Sequence, residues 1–125
     1  MDSESLAVAA MLAALSRAAS ILADLRHPFV RSLPYSYLVP PAGAAAGTIF
    51  TLPDGREVRF GVSLAHADHE FHVDAEVTAE DEPLLTIPRL STRDALEALA
   101  VLDSYTSEVA DPMPRLLDDL LDALR

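Results

Sequence analysis

Apolar residues near the start of the chain recur at helical spacing. Val8, Leu12, Leu15, Ala19 and Leu22 follow one another at intervals of four, three, four and three, and Met11, Ala18 and Leu25 widen the same stripe. Residues so spaced share one face of a helix. The pattern predicts an amphipathic helix over 5–25, with Asp2, Ser3 or Ser5 as its cap. The opposite face carries small residues, Ala9, Ala10, Ala13, Ser16, Ser20 and Ala23, with Arg17 and Asp24 the charges nearby. A face this narrow permits close approach by a second helix or a second copy of the chain.

From residue 48 the period shortens to two. Thr48–Leu52 reads as a strand closed by the turn residues Pro53-Asp54-Gly55. Val58, Phe60, Val62 and Leu64 alternate with Glu57, Arg59, Gly61 and Ser63. Phe71, Val73, Ala75 and Val77 alternate with Glu70, His72, Asp74 and Glu76. Strict alternation means one buried and one wet face. The spacing places a turn near Ala65–Asp68 and a second, acidic turn at Glu80-Asp81-Glu82-Pro83. A short fourth strand is expected over Leu84–Ile87, stopped by Pro88.

The helical period returns at 91. Ala95, Ala98, Leu99, Leu102, Tyr105 and Val109 form one stripe, with Ser91 or Thr92 as cap. Asp111-Pro112 resembles a fresh start, with Asp as cap and Pro in the first turn. Met113, Leu116, Leu117, Leu120, Leu121 and Leu124 then oppose Arg115, Asp118, Asp119 and Asp122. The elements sum to a single α+β domain over 1–125, in the order α-β-β-β-β-α-α. A four-stranded antiparallel meander over 48–90 is covered on one face by the 5–25 helix and by two helices over 91–125.

Residues 27–47 are expected to be an extended loop. Each proline of Leu33-Pro34-Tyr35-Ser36-Tyr37-Leu38-Val39-Pro40-Pro41 disfavours helix in its predecessor, and Ala42–Gly47 reads as flexible. In an extended chain Tyr35 and Tyr37 lie on one side, as a lid over the core or as a partner-binding segment. The uncharged stretch Ser32–Pro53 is long enough for a membrane span. Its prolines and glycines would leave backbone groups unpaired in lipid, so no membrane association is expected.

Composition then narrows the function. Arg is the only cation beside His; Lys, Cys, Asn, Gln and Trp are absent. That excludes a disulfide frame, thiolate metal sites, a Schiff-base lysine and a P-loop lysine. The Arg, Ala and Leu bias fits a bacterial, high-GC coding sequence. The acidic start Met1-Asp2-Ser3-Glu4 is unlike a secretory signal, so a cytoplasmic location is expected. With 20 acids against 9 Arg the formal net charge is −11, the wrong sign for nucleic acid. The charge is uneven: residues 68–82 hold seven acids and no Arg, whereas residues 25–66 hold four Arg and only Asp54 and Glu57.

These features suggest a small acidic protein-binding module, such as an adaptor, a secretion-type chaperone or an immunity-type inhibitor, acting on a basic protein partner. Its expected contact residues are Glu70, Asp74, Glu76, Glu80, Asp81 and Glu82, with Tyr35 and Tyr37. A homodimer is a further expectation, from the apolar helix faces. One alternative is enzymatic. The segment 64–74 holds three of the four histidines, His66, His69 and His72, with Asp68 and Glu70 between them. Imidazole and carboxylate suit zinc or another divalent metal. His66, Asp68 and His72 could share an ion on one continuous strand or as cross-strand neighbours. No Gly-rich phosphate loop or His-Glu-x-x-His motif supports an enzyme, so no cofactor is expected otherwise.

Overall fold

The computed structural model describes residues 3–39 and 42–124. Helix α1 runs Ser3–Ala23. Six strands follow: β1 Arg31–Val39, β2 Gly43–Thr51, β3 Glu57–Ala67, β4 Glu70–Ala79, β5 Glu82–Leu85 and β6 Leu90–Thr92. Helices α2, Ala95–Ala110, and α3, Met113–Ala123, complete the chain. The sheet is an antiparallel meander in the order β1-β2-β3-β4-β5, and β6 pairs with β4 further along the same edge. β5 and β6 are thus two halves of one edge strand, interrupted around Pro88. The α+β class and the N- and C-terminal helices agree with the periodicity.

The expected loop over 27–47 differs. Most of it is β1 and the first half of β2, paired from Arg31↔Thr51 to Val39↔Gly43. The extension forced by the prolines is present, but the flexible reading of Ala42–Gly47 fails. A glycine-alanine run has little strand preference of its own; strands on both sides supply its pairing. Pro34 is tolerated because its missing donor lies on the open edge. That follows from the ladder: His66 N–H donates to Ala42 O and Glu80 N–H to Glu57 O. Carried through the registers, these fix the even-numbered groups of β1 as outward-pointing.

Both hairpins linking β3, β4 and β5 are tight. Asp68 and His69 take φ of 55° and 67°, and Glu80 and Asp81 take 50° and 69°. Two consecutive left-handed residues make the turn whose twist matches the flanking strands. Asp and His tolerate that region better than most residues with a side chain. The first turn is therefore Asp68-His69, with β3 continuing to Ala67. The second is Glu80-Asp81, so Glu82 and Pro83 belong to β5. The Glu80 carboxylate accepts from Glu57 N–H at 2.8 Å and ties this end of the sheet.

Among the described residues the helices lie on one face: α1 packs against β1–β3 and α2, and α2 against β3, β4 and β6. The buried face of the sheet is Phe50, Val58, Phe60, Val62, Leu64, Val73 and Val77, as the alternation predicts. On α1 the buried face centres on Ala14 and Ala18, not Leu12, which is 63% exposed. Small side chains let the helix axis approach its neighbours, and that rotates the stripe. The proposed caps Asp2, Ser3 and Ser5, and Val8, lie outside the described side chains. Asp94, not Ser91 or Thr92, caps α2 by accepting from Leu96 N–H at 3.0 Å. Thr92 instead accepts from Asp94 N–H. Asp111 does not cap α3: it closes α2 as its C-cap, in helical conformation with its N–H donating to Ser107 O, so α2 and α3 read as one helix bent at Pro112. Their inward residues Leu102, Val109, Met113 and Leu117 join the core.

Two buried threonines contrast. Thr106 donates to Leu102 O at 2.7 Å. Thr48 Oγ1 is buried with no partner among the described residues. An unpaired buried hydroxyl costs about 1–3 kcal/mol, and valine has nearly the same shape. Thr48→Val is expected to raise stability by about 1 kcal/mol, read as a Tm rise of roughly 4 °C. A fall in Tm would show that the hydroxyl is satisfied.

Candidate functional site

Register decides which side chains share the helix-free face. Paired residues point the same way, so Tyr35, Gly47, Gly61 and Glu76 form one row, and Tyr37, Ala45, Ser63 and Asp74 the next. Tyr35, Tyr37, Gly61, Ser63, Asp74 and Glu76 line a pocket of about 290 Å³ on this face. Its floor is small because β2 and β3 contribute Ala45, Gly61 and Ser63. The Tyr35 ring lies down across the two glycines: a Cβ on Gly47 would come within 2.6 Å of its hydroxyl, and a Cβ on Gly61 would overlap that hydroxyl. Tyr37 stacks beside it, centroids 5.9 Å apart and planes 20° apart. The Arg59 guanidinium carbon sits 5.3 Å from the Tyr35 centroid, on the cation–π side of the ring.

Burial pushes the Tyr35 phenol up to about 12 from 10.0; Glu76 adds to this and Arg59 opposes it. The folded value exceeds the unfolded one. The resulting stabilisation is therefore complete below about pH 10 and is lost as pH rises through 12. A phenolate absorbance titration is expected to contain a step near pH 12 that Tyr35→Phe deletes. A wild-type profile without that step would contradict the half-buried placement of Tyr35.

The acids adjacent in sequence are spread out in space. Along β4, Glu70 and the Glu80–Glu82 turn are ten residues apart, roughly 33 Å. The two central acids meet arginines: Asp74 accepts from Arg89 Nε at 2.9 Å, and Glu76 lies 3.8 Å from Arg59. Of the eight expected contact residues, the fold gathers Tyr35, Tyr37, Asp74 and Glu76 into one pocket. Glu80, Asp81 and Glu82 stay together at the far turn, and Glu70 stands at the other end.

The histidines do not converge. His66 pairs with Phe71, and His72 with Ala65, so His66 and His72 project from opposite faces of the sheet. The two-residue turn sets this parity and overturns both geometries for a shared ion. His66 packs on Phe71, ring centroids 4.5 Å apart. It borders an apolar groove of about 640 Å³ with Met11, Leu12, Leu15, Leu38 and Leu64. His72 Nδ1 is 2.8 Å from Ser91 Oγ; the two are register partners on β4 and β6, so the contact stitches the edge. Asp68 and His69 occupy the turn. Among the described residues no group of three or more His, Asp or Glu side chains is placed to hold a metal.

The fourth histidine, remote from this segment, is structural. The His27 side chain is 4% exposed and bonds Asp118 at 2.8 Å through Nε2. Its Nδ1 accepts from Phe29 N–H, so Nε2 holds the proton and donates to Asp118. That bond ties α3 to the chain just beyond α1. Arg59, Gly47 and Gly61 complete the candidate site, and apart from Gly61, whose place within a strand marks a bulge or a close contact, no local motif in the sequence announces them. The alternation, which puts Arg59 and Gly61 on the wet face, also hints at their place.

The fold and site define an α+β domain with one face of its sheet left free of helices. No helix among the described residues is long and apolar enough to cross a membrane. Compared with models of protein families, with curated proteins and with solved structures, the chain finds no match.

Proposed function

We propose that the protein is a protein-binding module whose open sheet face receives a basic segment of a partner. The reading rests on one observation: Tyr35 and Tyr37 from β1 meet Asp74 and Glu76 from β4 around one small-residue pocket. Stacked tyrosines offer large contact area and a π-face for a cation. The carboxylates beside them select the charge. Arg59 over Tyr35 shows how a guanidinium sits here. Its pairing with Glu76 and that of Arg89 with Asp74 are partly exposed and screened by solvent, so a partner's arginine can exchange in. An adaptor, a secretion-type chaperone or an immunity-type inhibitor would use such a face alike and differ in the partner.

The test is an NMR titration with two extended peptides, one arginine-rich and one glutamate-rich. The basic peptide is expected to shift the resonances of Tyr35, Tyr37, Gly61, Ser63, Asp74 and Glu76, and Tyr37→Ala to weaken it about tenfold, or 1.4 kcal/mol. No shift with the basic peptide, or shifts only at Glu80–Glu82, would sink the proposal.

A further inference from the structure

β1 is an edge strand of nine residues with nothing on its outer side among the described residues. The ladder directions leave the N–H groups of Ser32, Ser36 and Leu38 facing outward, with the carbonyls of Ser32, Pro34, Ser36 and Leu38. Backbone groups arrayed this way are completed by another strand. The other end of the sheet is blunted: β5 and β6 are short, and Pro83 and Pro88 interrupt that edge. The apolar side chains point to the same place. Leu33, Tyr37 and Leu38 on β1 are 67%, 52% and 83% exposed, three of the eight large apolar residues left exposed among the described side chains.

We propose that the protein forms a two-fold homodimer by antiparallel pairing of β1 with β1 of a second copy. The charge distribution selects this occupant. Each chain carries −11, so most contacts between copies would set carboxylate against carboxylate. Residues 25–53, which include β1 and β2, contain no acid at all, and this edge lets two such chains meet without that repulsion. Full overlap of Arg31–Val39 with its copy puts Tyr35 on the two-fold axis. Ser32 then faces Leu38, and Pro34 faces Ser36, across the seam. In this register every outward donor of both strands finds a carbonyl, and the missing donor of Pro34 leaves one carbonyl per strand open. Leu33 of each copy lies opposite Tyr37 of the other, in a pair without hydrogen bonds where side chains approach closely. The two helix-free faces join into one surface, with the Tyr35–Tyr37 pockets side by side. The dimer does not depend on the peptide-binding reading.

Light scattering of the full chain at micromolar concentration is expected to give about 27 kDa, twice the 13.4 kDa of one chain. The combined variant Ser36→Pro with Leu38→Asp removes an outward donor and adds charge to the seam, leaving the β1–β2 ladder intact. Its mass is expected to fall to 13.4 kDa with an unchanged circular dichroism spectrum. Register is tested by cysteines in a chain that has none. Leu33→Cys with Tyr37→Cys together should give a covalent dimer on mild oxidation, and Leu33→Cys alone should not. A wild-type mass of 13.4 kDa, or failure of the double cysteine variant to cross-link, overturns the proposal, whatever happens to the proline variant.

Discussion

Phe60→Ala is expected to lower the stability of the fold by about 4 kcal/mol, measured by urea denaturation with an unchanged m-value. Phe60 is fully buried in the middle of β3 and meets Phe50 of β2 edge to face, centroids 5.5 Å apart. Only seven residues of the chain are aromatic, and of these only Phe50 and Phe60 are wholly buried. The rest of the core is Leu, Val and Ala with Met113, held on paired strands and packed helices that collapse only partly into a phenyl-sized void. Loss of the ring also removes the edge-to-face contact, about 1 kcal/mol beyond area. Single domains are stable by about 5–15 kcal/mol, so this change takes a large share. A loss below about 2 kcal/mol would show that α1 or α2 can settle into the gap.

Gly47→Ala and Gly61→Ala are expected to diverge sharply, although both glycines lie under the Tyr35 ring. A Cβ on Gly47 overlaps the carbonyl oxygen of Phe60, a backbone atom of the neighbouring strand. That oxygen can move only if β2 and β3 separate, so the cost is about 3 kcal/mol, at the upper end of ordinary overpacking. A Cβ on Gly61 overlaps the Tyr35 hydroxyl, and every other neighbour stands 3.3 Å or more away. There the ring lifts off and the ladder stays. Stability should change by less than about 1 kcal/mol, since alanine also restricts the unfolded chain. The pocket is lost instead: the Tyr35 phenol should return towards its ordinary value of about 10, and the basic peptide should no longer bind. Equal destabilisation by both substitutions would show that Tyr35 cannot leave its seat.

Periodicity revealed the elements that alternate or repeat strongly by themselves. Val58 to Leu64 and Ala98 to Val109 lie where their spacing puts them. The pairing of residues 31–47 was not legible, because Ala44-Ala45-Ala46-Gly47 has no pattern to read. Those small residues suit β2 only because Tyr35 lies over Gly47 and α1 comes close on the other face. Half of the expected contact residues meet at one pocket. Tyr35 and Tyr37 could be paired from their spacing, but their meeting with Asp74 and Glu76 runs through two intervening strands.

By itself, the sequence determined the α+β class, the inward faces of β3 and β4, the helix content and the acid-poor segment from 25 to 53. Each follows from neighbours along the chain or from composition. Tertiary structure alone decided that His66 and His72 point apart, that Asp74 and Glu76 meet arginines, and that β1 forms an open edge. The reason is parity. Side chains alternate along a strand, so a one-residue slip in the pairing of β3 with β4 would put His66 and His72 on the same face. The Asp68-His69 turn is fixed by two left-handed residues and by the burial of whole faces of the sheet, neither of which is a property of the histidines themselves.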